Sequence, residues 1–128
     1  MAENKWMDAY VQLRRMYNLM AETESLSQQL AEEVDRGDSV TIRMLLSMRE
    51  EPVRKLAVCR QILQQLLVTL EPKEAAQLRE LLNGGPAREE ADQELVKQVA
   101  LNGRLLKRIQ EQDEVLNRKI AQEDSVYS

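Results

Sequence analysis

Histidine and phenylalanine are absent from this 128-residue chain, and other aromatic residues, cysteine, glycine and proline are few. Without histidine, the chain lacks the commonest general base and the commonest metal ligand. Cys59 is the only cysteine; its place on an apolar stripe indicates a small buried side chain, not a nucleophile. The sequence offers no glycine-rich phosphate loop after a strand. We therefore expect no enzyme, no metal site and no cofactor.

Charge of one sign is not concentrated anywhere along the chain. The formal net charge is −4, the pI is about 5.0, and charged residues make up 31% of the sequence. Without a basic patch, nucleic acid and anionic membrane are not expected partners. No apolar run approaches the ~18–20 residues of a membrane span, and the first ten residues lack a signal-peptide core. These features predict a soluble cytoplasmic protein.

What the chain does contain is apolar residues at helical spacing. They recur every three or four residues, the pattern of helices with one buried face. We predict helix 1 over about 4–36, helix 2 over about 39–70 with a kink near Pro52, a short helix over about 73–83, helix 3 over about 86–123, and a loose tail at 124–128. The sequence thus predicts one all-α domain of three long antiparallel helices, a bundle or coiled coil, with a short helix connecting the second and third.

The boundaries of these helices have specific signals. We expect Asn4 to cap helix 1, Gly37 to end it in the left-handed conformation, and Asp38 or Ser39 to cap helix 2. Pro72 suits the first turn of the short helix, and Asn83 to Pro86 forms the strongest turn signal in the chain.

The predicted buried stripes define the core. On helix 2 the stripe is Ile42, Leu45, Leu56, Cys59, Leu63, Leu66 and Leu70, widened by Leu46, Val53 and Leu67. On the short helix it is Ala76, Leu78, Leu81 and Leu82. On helix 3 it is Leu95, Val99, Asn102, Leu106, Ile109, Asp113, Leu116 and Ile120. Asn102 and Asp113 are polar, so each needs a partner in the seam or contact with solvent.

Helix 3 also carries apolar residues away from this stripe. At about 100° per residue, Leu105 lies about 60° from the stripe centre, Leu101 about 100° from it, and Val115 nearly opposite. A wide stripe absorbs Leu105, whereas Leu101 and Val115, with Val126 in the tail, are free to take a partner's amphipathic helix. The alternative is a structural or regulatory coiled coil that self-associates as a homodimer and buries Leu101 and Val115.

Two stretches resemble a known family. They are LAEEVDRGDSVTIRMLLSMREEPVRKL (30–56) and LNGRLLKRIQEQDEVLNRKIA (101–121), together about half the chain. They resemble the bacterial flagellar type III export chaperones of the FlgN type, with the FliT type second. The resemblance implies a non-catalytic cytoplasmic chaperone that delivers a hook-associated or filament-cap protein to the export apparatus. It also implies client contact through the last helix, which falls by position on Leu101, Leu105, Val115, Leu116 and Ile120.

Overall fold

Helices make up nearly all of the chain that this computed structural model describes, which is residues 5–127, with side chains for residues 5–122. The helices are α1 (Met7–Arg36), α2 (Ser39–Thr69), α3 (Pro72–Leu82) and α4 (Gln93–Tyr127), with a 3-10 turn at Glu90–Asp92. No strand occurs among the described residues. The prediction of an all-α fold is therefore confirmed.

The connection between α1 and α2 has the residues that a tight helix–helix turn requires. Gly37 ends α1 at φ 79°, and its N–H donates to the carbonyls of Glu33 and Val34. Asp38 then caps α2, because its carboxylate accepts from the backbone N–H and the hydroxyl of Thr41. These two hydrogen bonds hold the pKa of Asp38 below its ordinary value. Both predicted signals at this junction are confirmed.

Helix α4 corresponds to the predicted helix 3, and it starts later than predicted. The sequence placed it at Pro86, but residues 85–88 are irregular, and regular helix begins at Gln93 after the 3-10 turn. The reason is a capping box, in which Glu89 is the N-cap of the 3-10 turn and the Asp92 carboxylate accepts from the backbone N–H groups of Arg88 and Glu89, so helical structure starts only at Glu90.

Other predicted boundaries move less. Helix α3 begins at Pro72, as its first-turn proline indicates, and α4 extends to Tyr127, beyond the predicted end near 123. Asn4 and Ser128 lie outside the described residues. Helix α2 is continuous through the buried Pro52, and the expected kink there stays a prediction.

Helix α1 lies between α2 and α4 and packs along both. Helices α1 and α4 run parallel to each other. Their contacts advance together along both helices, because Leu13 contacts Asn102, Glu24 contacts Arg108 and Asp35 contacts Lys119. Helix α2 runs the opposite way. The backbones of α2 and α4 lie mostly more than 8 Å apart, so α1 is the common neighbour.

The core divides into three clusters along the length of α1. The first lies at the start of α1 and includes Trp6, Leu13, Leu63, Leu78 and Leu95. The second, at mid-length, is Met20, Leu56, Leu105 and Ile109. The third, near the turn into α2, is Leu26, Leu30, Val34, Leu45 and Leu116. Side chains from α1, α2 and α4 meet in each cluster.

Several residues lie on a different face from the one predicted. Leu105 is 2% exposed and Leu106 is 41% exposed, the reverse of the expected order. The buried residues Gln98, Leu105 and Ile109 show that the face of α4 against α1 is centred on the Leu105 side of Asn102. Asn102 lies at the edge of this face, where its side chain donates to the carbonyl of Leu13 and accepts from Gln98, and Leu106 lies beyond it.

On the other helices, three residues expected in the core are exposed. Leu46 and Val53 are exposed because one flank of α2 is uncovered, and Ala76 is exposed because its neighbour Ala75 is the buried residue of that pair.

Candidate functional site in the groove between α2 and α4

Neither a metal-binding group nor a membrane-spanning helix occurs among the described residues. No group of three or more histidine, cysteine, aspartate or glutamate side chains among them is placed to hold a metal ion. Cys59 is buried in the position that its apolar stripe predicted. None of the helices in the described part has a segment long and apolar enough to cross a bilayer.

The five predicted partner-binding residues do not form one surface. Leu101 and Val115 are 39% and 45% exposed, as their positions off the stripe predicted. Leu105 and Leu116 are each only 2% exposed, and Ile120 is half-buried against the cluster that contains Leu116. Leu105 and Leu116 fill the space between helices. The Val126 side chain lies outside those that the structure describes.

The surroundings of Val115 mix polar and apolar side chains. It lines an open groove between α1 and α4 whose other members are largely acidic or amide side chains. Arg108 spans this groove and donates two hydrogen bonds to Glu24, at 3.0 and 3.1 Å. The Glu24 carboxylate raises the pKa of Arg108 through these bonds and its charge. This groove does contain apolar surface, but the Arg108–Glu24 pair crosses it.

A second groove, between α2 and α4, is mainly apolar. It contains about 450 Å³ of open space. Core side chains of α1 form its floor, because α2 and α4 stay apart and no further helix among the described residues covers the gap between them. The apolar lining is Leu13, Met16, Met20, Leu56, Leu82, Val99, Ala100 and Leu106.

Leu106 and Gly103 form much of the α4 wall. Leu106 projects 41% of its surface to solvent beside the buried Leu56. Gly103 follows on the same wall, and a Cβ added there would meet no heavy atom within 4 Å. An approaching chain therefore has room to contact the α4 backbone at Gly103.

Arg60 is the one charged residue in the lining of this groove, among the residues that the structure describes. It makes no ion pair with another described residue, so its guanidinium is available to a carboxylate. Asn102 also lines the groove, but both ends of its amide are already bonded, to Leu13 and Gln98. The predicted need of this buried amide for a partner is met inside the protein.

The groove has a polar boundary at each end. Asn83 and Gly84, just after α3, line one end. Towards the other end, Arg49 of α2 donates to both carboxylate oxygens of Asp113 on α4, at 3.2 and 3.1 Å. The lining residues of α4 run from Val99 to Leu106, which at ~1.5 Å per residue is about 11 Å, or about two turns of a helix.

Sequence reasoning missed this groove because it assigned Leu56, Val99 and Leu106 to a closed core. The available signal was Gly103, a residue that weakens helices by about 1 kcal/mol yet lies beside apolar residues. The adjacent pair Leu105 and Leu106 was a second signal, since a single buried stripe rarely covers both fully.

Comparison of the chain with protein-family models, characterised proteins and solved structures finds no match.

Proposed function

We propose that the protein is a non-catalytic flagellar export chaperone of the cytoplasm, whose three long helices act as an antiparallel bundle that holds a client. The client is a hook-associated or filament-cap protein, bound through an amphipathic helical segment. The observation that carries the proposal is the apolar groove between α2 and α4, whose floor is the hydrophobic core itself. The resemblance of residues 30–56 and 101–121 to such chaperones supports the identity of the client.

The groove suits a helix with one apolar face. Helix-in-groove recognition places residues at every third or fourth position into apolar pockets, and here Leu56, Leu106 and Met16 supply the complementary surface. A client segment that is disordered when free loses conformational entropy on binding, so it needs a preformed groove of this kind.

Arg60 gives the site a preference for charge. An acidic residue beside the apolar face of the client would pair with its guanidinium, because a planar guanidinium binds carboxylates in a bidentate manner. Client segments that place an aspartate or glutamate next to leucine are therefore expected to bind more tightly than basic ones.

The proposal keeps the last helix as the client-binding helix but moves the contact to its other flank. Leu106 replaces Leu101 and Val115 as the expected contact, since it lies in the apolar groove and they do not. Leu101 and Leu106 are almost equally exposed on the same helix, at 39% and 41%. They make a matched pair for testing which flank is used.

The test is isothermal titration calorimetry of the full chain with helical terminal segments of hook-associated and filament-cap proteins. We expect Leu106→Asp to weaken binding by at least about tenfold, because it places a charge in an apolar site, and Leu101→Asp to leave it unchanged. Weakening by Leu101→Asp alone would assign the client to the other flank. If the unmodified chain binds none of these segments, the proposal fails.

A further inference from the structure

A second apolar surface lies on the flank of α2 that faces away from the groove. Its members are 37% to 55% exposed, and they are Met44, Met48, Val58 and Ile62. At about 100° per residue they lie within about 40° of a single line along the helix, and that line is about 100° from the buried stripe. We name these four residues, together with Glu51 and Lys55 on the same line, the outer face of α2.

The order of residues along the outer face is symmetric about position 53. Met44 precedes this position by as many residues as Ile62 follows it, and the same holds for Met48 and Val58. Glu51 and Lys55 also form such a pair, with opposite charges. A two-fold axis that brings two identical helices together in antiparallel orientation places exactly such pairs opposite each other.

We propose that the outer face of α2 docks against the same face of a second copy of this chain, in antiparallel orientation with the two-fold axis at position 53. Met44 then lies against the partner's Ile62, and Met48 against the partner's Val58. Glu51 lies against the partner's Lys55, and Lys55 against the partner's Glu51. The apolar contacts supply the association, and the central charges fix its orientation and register.

Charge complementarity favours a second copy over other occupants. A parallel arrangement would place Glu51 and Lys55 against their own copies, as two like-charged pairs, which costs free energy. Glu51 already lies 3.7 Å from Lys55 within the helix, so the two extra pairs across the axis would complete a network of four charges. A partner helix with charges of a single sign would attract only one of Glu51 and Lys55 and would repel the other.

The size of the face predicts a weak, reversible dimer. From Met44 to Ile62 the helix is about 27 Å long at ~1.5 Å per residue. On α1, the half-exposed Val11 lies with Ile62 beside a shallow groove and extends the face slightly. Interfaces of this kind lie at the small end of specific complexes, so we expect a micromolar dissociation constant.

The test is sedimentation equilibrium of the full chain from micromolar to millimolar concentrations. We expect a concentration-dependent shift towards twice the 14.8 kDa of one chain. Glu51→Lys alone and Lys55→Glu alone should each weaken association by at least about tenfold, because like charges then meet across the axis. Mixing these two variants in equal amounts should restore dimers, since every cross-axis pair is again of opposite charge. The double variant E51K/K55E should also dimerise.

The matched controls are Glu94→Lys and Lys97→Glu, which reverse a comparable exposed ion pair on α4 at 3.6 Å. They should leave the mass distribution unchanged. Circular dichroism of each variant checks that loss of the Glu51–Arg54 pair, at 3.1 Å, has not reduced the helix content. A chain that stays monomeric up to millimolar concentration overturns the proposal, and so does a failure of the two single variants to associate when mixed.

Cysteine cross-linking tests the register separately. In a Cys59→Ala background, Met48→Cys and Val58→Cys chains should form a disulfide only when they are mixed. Rapid disulfide formation by Met48→Cys chains alone would indicate a parallel arrangement and would also overturn the proposal.

Discussion

The carboxylate of Asp92 connects the start of α4 to the start of α1. It accepts from the Trp6 indole at 2.7 Å and from the backbone N–H groups of Arg88 and Glu89 at 3.1 and 3.3 Å. The Lys5 ammonium lies 4.8 Å from the centre of the Trp6 ring and adds positive charge nearby. Burial raises the pKa of Asp92, but these hydrogen bonds outweigh burial, and the net pKa lies below its ordinary value.

Asp92→Asn is therefore expected to destabilise the protein by about 1–3 kcal/mol at neutral pH, since charge-assisted bonds to buried groups are lost. A lowered folded-state pKa means that the ionised form stabilises the fold above pH about 4, the unfolded value, and that this contribution is lost as pH falls through the folded pKa. Urea unfolding of both proteins at several pH values measures this. The difference should shrink in acid, and a difference that grows in acid would contradict the assignment.

Gly103 offers a second prediction at this scale. A Cβ there meets no atom within 4 Å, and the residue lies within regular helix. Gly103→Ala should therefore stabilise the protein by about 0.5–1 kcal/mol, through helix propensity and a less flexible unfolded chain. The same methyl group should weaken client binding in calorimetry, because it fills space on the groove wall.

Gly37→Ala is the matched control for Gly103→Ala. Its Cβ also meets nothing within 4 Å, but its φ of 79° is unfavourable for alanine, so this variant should lower the melting temperature. Gly103→Ala that stabilises the fold without affecting client binding would indicate that the groove wall is not used.

At the scale of the helix, the turn between α1 and α2 and the start of α3 were easier to predict from the sequence than the buried faces, whereas the start of α4 was predicted about seven residues too early. Gly37, Asp38 and Pro72 act through local backbone geometry, so their roles follow from residue type alone. Which apolar residue is buried depends on neighbouring helices. Val53 and Leu106 continue their stripes in sequence, yet they are exposed because α2 and α4 diverge.

The pair Leu105 and Leu106 provides a test of this difference. Leu105→Ala should destabilise the protein by about 2–5 kcal/mol, since it leaves a cavity beside Met20, Leu56 and Ile109. Leu106→Ala should lower the free energy of unfolding by less than about 1 kcal/mol, because the Leu106 side chain is largely exposed in the groove and its removal takes away few buried contacts. Chemical denaturation of both variants measures the values. Equal costs would mean that the groove is closed in solution.

The candidate site could be predicted only in part, for the same reason. Sequence reasoning identified the last helix and the exposed Leu101 and Val115, but it placed Leu105 and Leu116 in the partner contact. The groove arises from a gap between two helices that are far apart in sequence, and periodicity within one helix contains no information about that gap.

At the scale of the whole molecule, α2 has an open surface on each of two opposite flanks. One flank, with Leu56 and Arg60, forms the wall of the groove towards α4. The other is the outer face of α2, which lies on the α1 side, where Ile62 and Val11 line the same shallow groove. Since the two surfaces share no residue and face apart, substitutions on one should act independently of the other.

This separation predicts that dissociating the dimer leaves client binding intact. Glu51→Lys chains should bind the client segment with a dissociation constant within about twofold of the unmodified chain, while Leu106→Asp chains should lose the client but still dimerise. Calorimetry and sedimentation of both variants test this together. If Glu51→Lys weakens client binding as strongly as Leu106→Asp does, the two surfaces of α2 do not act independently, and the client contacts both chains of the dimer.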